Sequence, residues 1–255
     1  MTPSTSGREL RADARLNREQ IIEAARVLFA ERGPDVPAEE VARRACVGTG
    51  TLYRRFPDRQ ALISAVASDG LHRVVAVART AEDEEPDAWR ALTRFVHQAG
   101  AELRLATWLS VWFASAWADL QQDPENRRLR KTLLKIIDRL VRRAQLDGDM
   151  RPDVDTGDLA LLIALLLRPI PGLSAELTQR SADRSLVLML DSLRPRGDAQ
   201  QLPGQGISTA DLDPGNYQTL ASKAIAGGDA PGDGQPLRSQ ASGNPSGQGS
   251  GATRS

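Results

Sequence analysis

Residues 37–56 read PAEEVARRACVGTGTLYRRF, two short amphipathic segments joined by a tight corner. Val41, Ala42 and Ala45 fall on the inner face of a helix over about 38–45. Val47 plugs the corner, and Leu52 and Phe56 form the inner face of a second helix over 49–56. Ala42 is small where the two helices approach, and Ala45-Cys46-Val47-Gly48 has the length of a helix-turn-helix link. The outer face of the second helix carries Thr49, Gly50, Tyr53 and Arg54. Such a face can enter a major groove, where guanidinium pairs with guanine O6 and N7 and hydroxyls reach phosphates or base edges. A helix opening on Thr49-Gly50 also turns its first amides toward a phosphate.

Outward from this stretch the pattern stays helical. Ile21, Ala25, Leu28 and Phe29 line one face from Arg18 to Glu31, with Asn17 as N-cap and Gly33-Pro34 as stop. Pro57-Asp58 breaks and re-caps the chain before a long helix to about Thr80. Further helices are expected near 87–103, 105–121, 125–146, 156–168 and 182–194. No segment alternates with period two, so the fold class is all-α without a sheet.

The strings RLNREQIIEAARVLFAERG and VGTGTLYRRFPDRQALI, within residues 15–75, resemble the DNA-binding domain of the tetracycline-repressor (TetR) family. The family's Thr-Leu-Tyr-x-x-Phe followed by a turn and a cation is matched by Thr51, Leu52, Tyr53, Phe56 and Arg59. A weaker likeness covers AQLDGDMRPDVDTGDLALL near 144–162. The resemblance implies a helical homodimer with an N-terminal three-helix DNA-binding domain and a C-terminal ligand-binding and dimerisation domain. Thr49, Gly50, Thr51, Tyr53, Arg54 and Arg55 would then face double-stranded operator DNA, with Arg59 on its backbone. Two positions depart from the family pattern: Cys46 stands where glycine usually turns the chain, and Pro37 stands where Ser or Thr usually caps. Cys46 is therefore expected at φ > 0, at a cost of ~1 kcal/mol.

The domains so drawn are a disordered arm 1–14, the helix-turn-helix domain 15–60, a helical ligand-binding and dimerisation domain 61–196, and a tail 197–255. The tail holds 12 of the 21 glycines and 5 of the 15 prolines, a composition that cannot bury enough apolar surface to order itself.

Lysine plus arginine equals aspartate plus glutamate at 33 each, so overall charge decides nothing about nucleic acid. The first sixty residues carry 11 arginines against 9 acids, yet Arg43, Arg44, Arg54, Arg55 and Arg59 cluster. Glu39 precedes Arg43 by four and is read as its intrahelical partner. A single cysteine excludes a disulfide framework; Cys46 is either a redox switch beside DNA or an inert thiol. His72 and His97 lack ligand spacing, so no metal is expected, nor any cofactor. No nucleophile elbow, Walker A loop or dinucleotide fingerprint argues for an enzyme. No signal peptide or membrane-length apolar run is visible, which fits the cytoplasm.

All four tryptophans, Trp89, Trp108, Trp112 and Trp117, fall within 29 residues. They are either core or the wall of an aromatic pocket. The family's inducer site lies among such helices, which makes Trp108 and Trp112, with His97 as polar partner, the candidate contacts for an unidentified small-molecule inducer. Leu159–Leu167 and Leu186–Leu190 are apolar all round, as expected of helices that also meet a twin subunit. The function expected is a ligand-released repressor on a palindromic operator. An activator, a regulator with a protein partner, or a helical enzyme or carrier are the alternatives.

Overall fold

Short polar side chains decide where the helices begin. In the computed structural model, which describes residues 5–113, 120–168, 170, 172–197 and 200–212, the regular elements are all α-helical. They are α1 (Thr5–Arg32), α2 (Ala38–Arg44), α3 (Thr49–Arg55), α4 (Arg59–Glu84), α5 (Ala88–Trp112), α6 (Pro124–Leu146), α7 (Thr156–Leu166) and α8 (Ala175–Ser192). Asp58 accepts from the Ala61 N–H at 2.7 Å, Asp87 from Arg90 at 2.7 Å, and Asp123 from Asn126 at 2.9 Å. Asp155 and Asp158 form a reciprocal capping box, and Ser174 accepts from Leu177 at 3.2 Å. Each cap stabilises its helix by ~1 kcal/mol.

The helices enclose two cores. One gathers Ile21, Leu28 and Phe29 of α1, Val41 of α2, Leu52 of α3 and Leu62 and Val66 of α4 around Phe56. The second joins Val74 and Ala78 of α4 with Leu92 and Phe95 of α5, Ile136 and Leu140 of α6, Leu159 of α7 and Leu186 of α8. Helices α4 and α5 pass through both, because Leu105 and Leu109 of α5 return to the first core. Helix α4 is long and apolar enough, by length and composition, to cross a membrane. Its apolar residues are instead divided between the two cores.

Four expectations are corrected. Helix α1 starts at Thr5 and not near Arg18, so residues from Thr5 onward are not a disordered arm. The packed turns around Ile21 supply the nucleus, and the Arg- and Glu-rich stretch before it propagates the helix. The helices expected at 87–103 and 105–121 are one helix as far as Trp112. Gly100 lies inside it, and Leu186 Cδ1 packs 3.4 Å from where a Cβ would stand, an ordinary contact distance. Helix α8 begins at Ala175, seven residues before the expected 182, because Ser174 caps it. Finally, residues 200–212 of the tail are held by hydrogen bonds to Arg151 and Asp153 of the loop between α6 and α7 and to Asp158 of α7. The remainder of the tail, 213–255, lies outside the described residues.

The corner between α2 and α3 is a Schellman motif. The Val47 N–H donates to Ala42 O at 3.0 Å and the Cys46 N–H to Arg43 O at 3.2 Å. The same pattern closes α6, where Asp149 N–H donates to Ala144 O at 2.8 Å around Gly148 at φ 78°. At the first corner the left-handed position is held by Cys46, at φ 55°. A Cβ in that region is strained, whereas glycine is not. Cys46→Gly is therefore expected to raise stability by about 0.5–1 kcal/mol, after the added flexibility of glycine in the unfolded chain is subtracted. Urea unfolding at constant slope checks this; an unchanged or lower midpoint would show that the thiol side chain compensates the strain.

Candidate DNA-binding interface

Helix α3 is seven residues long and cannot be stable alone. Its Leu52 is buried and Phe56 closes its end, which fixes the opposite side outward. Thr49, Gly50, Tyr53, Arg54 and Arg55 are all exposed, and Thr51 is half-buried. Tyr53 is 49% accessible, so it is a surface aromatic and not the edge of the core. Arg54 donates to Thr51 Oγ1 at 3.3 Å, which biases the guanidinium along the helix without neutralising it. Arg59 opens α4 and stands 3.6 Å from Asp35, an exposed pair that screening leaves weak. The α3 positions and Arg59 thus lie within eleven consecutive residues, 49–59, and all but Thr51 are exposed.

Neighbouring charges are more committed. Glu40, not Glu39, pairs with Arg43, at 3.8 Å, and it also takes Arg32 of α1. The i,i+3 partner lies nearer because Glu40 is drawn toward α1. The hydrogen bond from Arg32 holds the Glu40 carboxyl below its ordinary range. Arg18 lies over the Phe56 ring at 5.6 Å, a cation–π contact that ties α1 to the end of α3. Pro37 starts α2 with no side-chain cap, as its chemistry requires. Cys46 is exposed, with Sγ 4.0 Å from Arg44 O.

The residues expected around an inducer are spread along α5. Trp108 is half-buried, and its indole N–H is buried without an acceptor among the described residues. His97 is exposed, about 16 Å from Trp108 along the axis at 1.5 Å per residue. The Trp112 side chain and all of Trp117 lie outside the described residues. Trp89 is core, with Arg194 stacked on it at 4.5 Å. The sequence had not singled out Arg104, on the same face of α5 one turn before Trp108. Burial pushes its guanidinium below its ordinary value, and Asp183 of α8 is the charge that opposes this.

Also unforeseen was a set of ion pairs joining the two cores. Arg26 of α1 donates to Glu23 at 2.6 Å and to Glu102 of α5 at 2.9 Å. Arg73 of α4 donates to the same Glu23 at 2.8 Å and to Asp69 at 2.7 Å. The spacing of Glu23 and Arg26 was visible in the sequence; the partners on α4 and α5 were not.

Known proteins repeat this arrangement. Residues 21–66 match the family model described as bacterial regulatory proteins, tetR family. Residues 85–195 match the model described as transcriptional regulator SbtR-like, C-terminal domain. A TetR transcription regulatory protein of known structure from Mycobacterium vanbaalenii is 32% identical, with 73% of this chain and 99% of that one covered and a TM-score of 0.53. A TetR transcriptional regulator from Streptomyces coelicolor is 28% identical over 71% of this chain and 99% of its own, with a TM-score of 0.52. The HTH-type transcriptional regulator UidR of Escherichia coli strain K12 is 25% identical over 184 residues, 68% of this chain and 89% of that protein. With its helix-turn-helix surface and the helical body behind it, the chain belongs to the TetR family of DNA-binding transcriptional regulators.

Proposed function

We propose that this regulator is a ligand-released repressor that binds a near-palindromic operator as a homodimer. In this assignment 15–60 read DNA, and 61–196 bind ligand and dimerise. A chromosomal operator implies action in the cytoplasm. The observation that carries the proposal is the outer face of α3, where Thr49, Gly50, Tyr53, Arg54 and Arg55 are exposed on a helix held rigidly by its buried side. Arg54 reads base edges, and Arg59 and the Thr49 and Thr51 hydroxyls engage the backbone.

Dimerisation is supported by the outward sides of α7 and α8. Leu165 is 63% and Leu188 66% exposed, and Val187 and Leu162 join them. A groove lined by Leu162, Leu166, Leu188 and Met189 runs between the two helices. Contiguous apolar surface of this kind is costly in water, and a second copy covers it with an identical surface. Two copies of α3 then stand about one DNA turn apart.

For the inducer, Trp108 supplies the strongest support, since its indole N–H is buried with no acceptor among the described residues, one turn from the half-buried Arg104 on the same face of α5. An effector there acts on α5, and α5 meets the DNA-binding core through Leu105, Leu109 and the Glu102–Arg26 pair. Ligand and operator each favour one of two arrangements of α4 and α5, so each weakens the other by the same factor.

Three outcomes are expected. Selection from a random duplex pool recovers a near-palindrome, and Arg54→Ala lowers discrimination at one base pair by about 1–3 kcal/mol, whereas Arg59→Ala weakens all duplexes alike and flattens the salt dependence. A chain showing no preference over genomic competitor would overturn the assignment. Leu188→Glu with Leu165→Glu yields a folded monomer in sedimentation velocity with much weaker operator binding; a persisting dimer would place the interface elsewhere. Arg26→Ala lowers stability by about 1–3 kcal/mol by leaving Glu102, whose carboxyl burial already pushes up, without its counter-charge. Adding Glu102→Gln to that variant recovers part of the loss; strict additivity in denaturation would show that the two residues do not interact.

A further inference from the structure

We propose a second ligand site on α6, walled by residues 200–212, for a small molecule with a multiply charged anionic head and a short apolar body. It lies apart from the α5 face assigned to the inducer, and its wall lies beyond residues 85–195 that match the C-terminal family model.

The wall is held in place by specific contacts. Arg151 donates to Gln200 O at 2.9 Å and pairs with Asp153 at 2.6 Å, while Asp153 accepts from the Leu202 N–H at 2.9 Å. Hydrogen bonds from Arg151 and then from Leu202 hold the Asp153 carboxyl far below its ordinary range. Asp158, at the start of α7, accepts from the Ile207 N–H at 3.2 Å. Gly157 makes this approach possible: a Cβ there would stand 2.7 Å from the Ile207 carbonyl carbon, closer than packed atoms tolerate. Ser208 and Asp211 then close a turn, with the Ser208 N–H and Oγ both donating to Asp211 Oδ2. That turn brings Thr209, Ala210 and Leu212 over α6.

Between this segment and α6 lies a groove of about 420 Å³, within the ~300–1,000 Å³ range of small-molecule pockets. Its α6 side is a single helical stripe, Arg127, Arg130, Lys131, Leu134, Lys135, Asp138 and Arg139. The stripe runs ~18 Å at 1.5 Å per residue. Arg127, Lys131, Lys135 and Arg139 are spaced four apart, so neighbouring like charges repel along the helix. Arg139 is neutralised by Glu82 at 2.6 Å, and the one acid, Asp138, is taken by Thr156 and Arg142. Arg127, Lys131 and Lys135 form no ion pair with the described residues. The chain has thirty arginines and only three lysines, and two of those lysines stand on this stripe. Folding gains nothing from such a column, but a bound anion does. Arginine forks and lysine point charges suit phosphoryl or carboxylate groups, and Leu134, Ala210 and Leu212 supply the apolar side.

Calorimetry on the full-length dimer without DNA tests this independently of operator binding. Inorganic pyrophosphate and citrate are titrated in separate arms at about 0.15 M salt, to distinguish phosphoryl from carboxylate heads. Hexyl phosphate against inorganic phosphate reads the apolar side. At least one head saturates at one per subunit, and hexyl phosphate binds more tightly than phosphate. The double variant Lys131→Gln, Lys135→Gln weakens binding about tenfold or more, and Arg180→Gln, on the exposed side of α8, does not. Gly157→Ala, which displaces the wall without touching the groove, weakens it as well; Leu212→Ala reads the same wall if that variant fails to fold. Absence of saturation, or binding indifferent to both the lysine and the wall variants, overturns the proposal.

Discussion

A helix of seven residues has no stability of its own, and α3 exists only because other helices bury its inner side. Leu52 and Phe56 are covered by α1, α2 and α4, and that cluster is completed by Leu105 and Leu109 from α5. The DNA-facing surface is therefore built on a core to which the C-terminal helices contribute. Leu105 and Leu109 thereby make α5 part of the core that supports α3. The same two long helices, α4 and α5, carry apolar residues into the second core.

Charge is distributed by a second rule. The balance of 33 cations against 33 acids conceals how differently they are used. Between the cores arginines are matched to acids on other helices, as Arg26 is to Glu102 and Arg73 to Glu23. The Arg26–Glu102 pair is partly shielded from water and resists separation more than an exposed pair such as Arg73–Glu23 does. At Arg54 and Arg55 of α3 and at Arg127, Lys131 and Lys135 of α6 the cations are exposed without an ion pair among the described residues. A neutral chain thereby presents two local positive surfaces, one on a convex helix suited to a groove of DNA and one beneath a wall of its own chain.

The amount of this legible in the sequence depended on how local each feature is. The helix-turn-helix showed itself because its apolar positions, its corner and its outer polar face all lie within residues 37–56. The left-handed Cys46 could be anticipated for the same reason, since two backbone hydrogen bonds across a few residues define that corner. The single helix across 88–112 was read as two, divided near residue 104, because nothing local shows that one helix serves both cores, Leu92 and Phe95 lying in one and Leu105 and Leu109 in the other. Residues 200–212 were misread for a stronger reason: their glycine and proline content resembles a disordered tail, and their order comes from Asp153, Asp158 and Gly157, some fifty positions earlier.

The sequence by itself determined an all-helical chain, the place of its helix-turn-helix and the residues on the outer side of α3. Those are consequences of periodicity and capping, which act over one or two turns. Only the tertiary structure decided which charges are neutralised, where α5 joins the DNA-binding core, and which part of the tail becomes a wall over α6. Those outcomes depend on which distant segments are brought within a few ångströms. Hydrogen bonds and ion pairs at that range have no periodic signature along the chain.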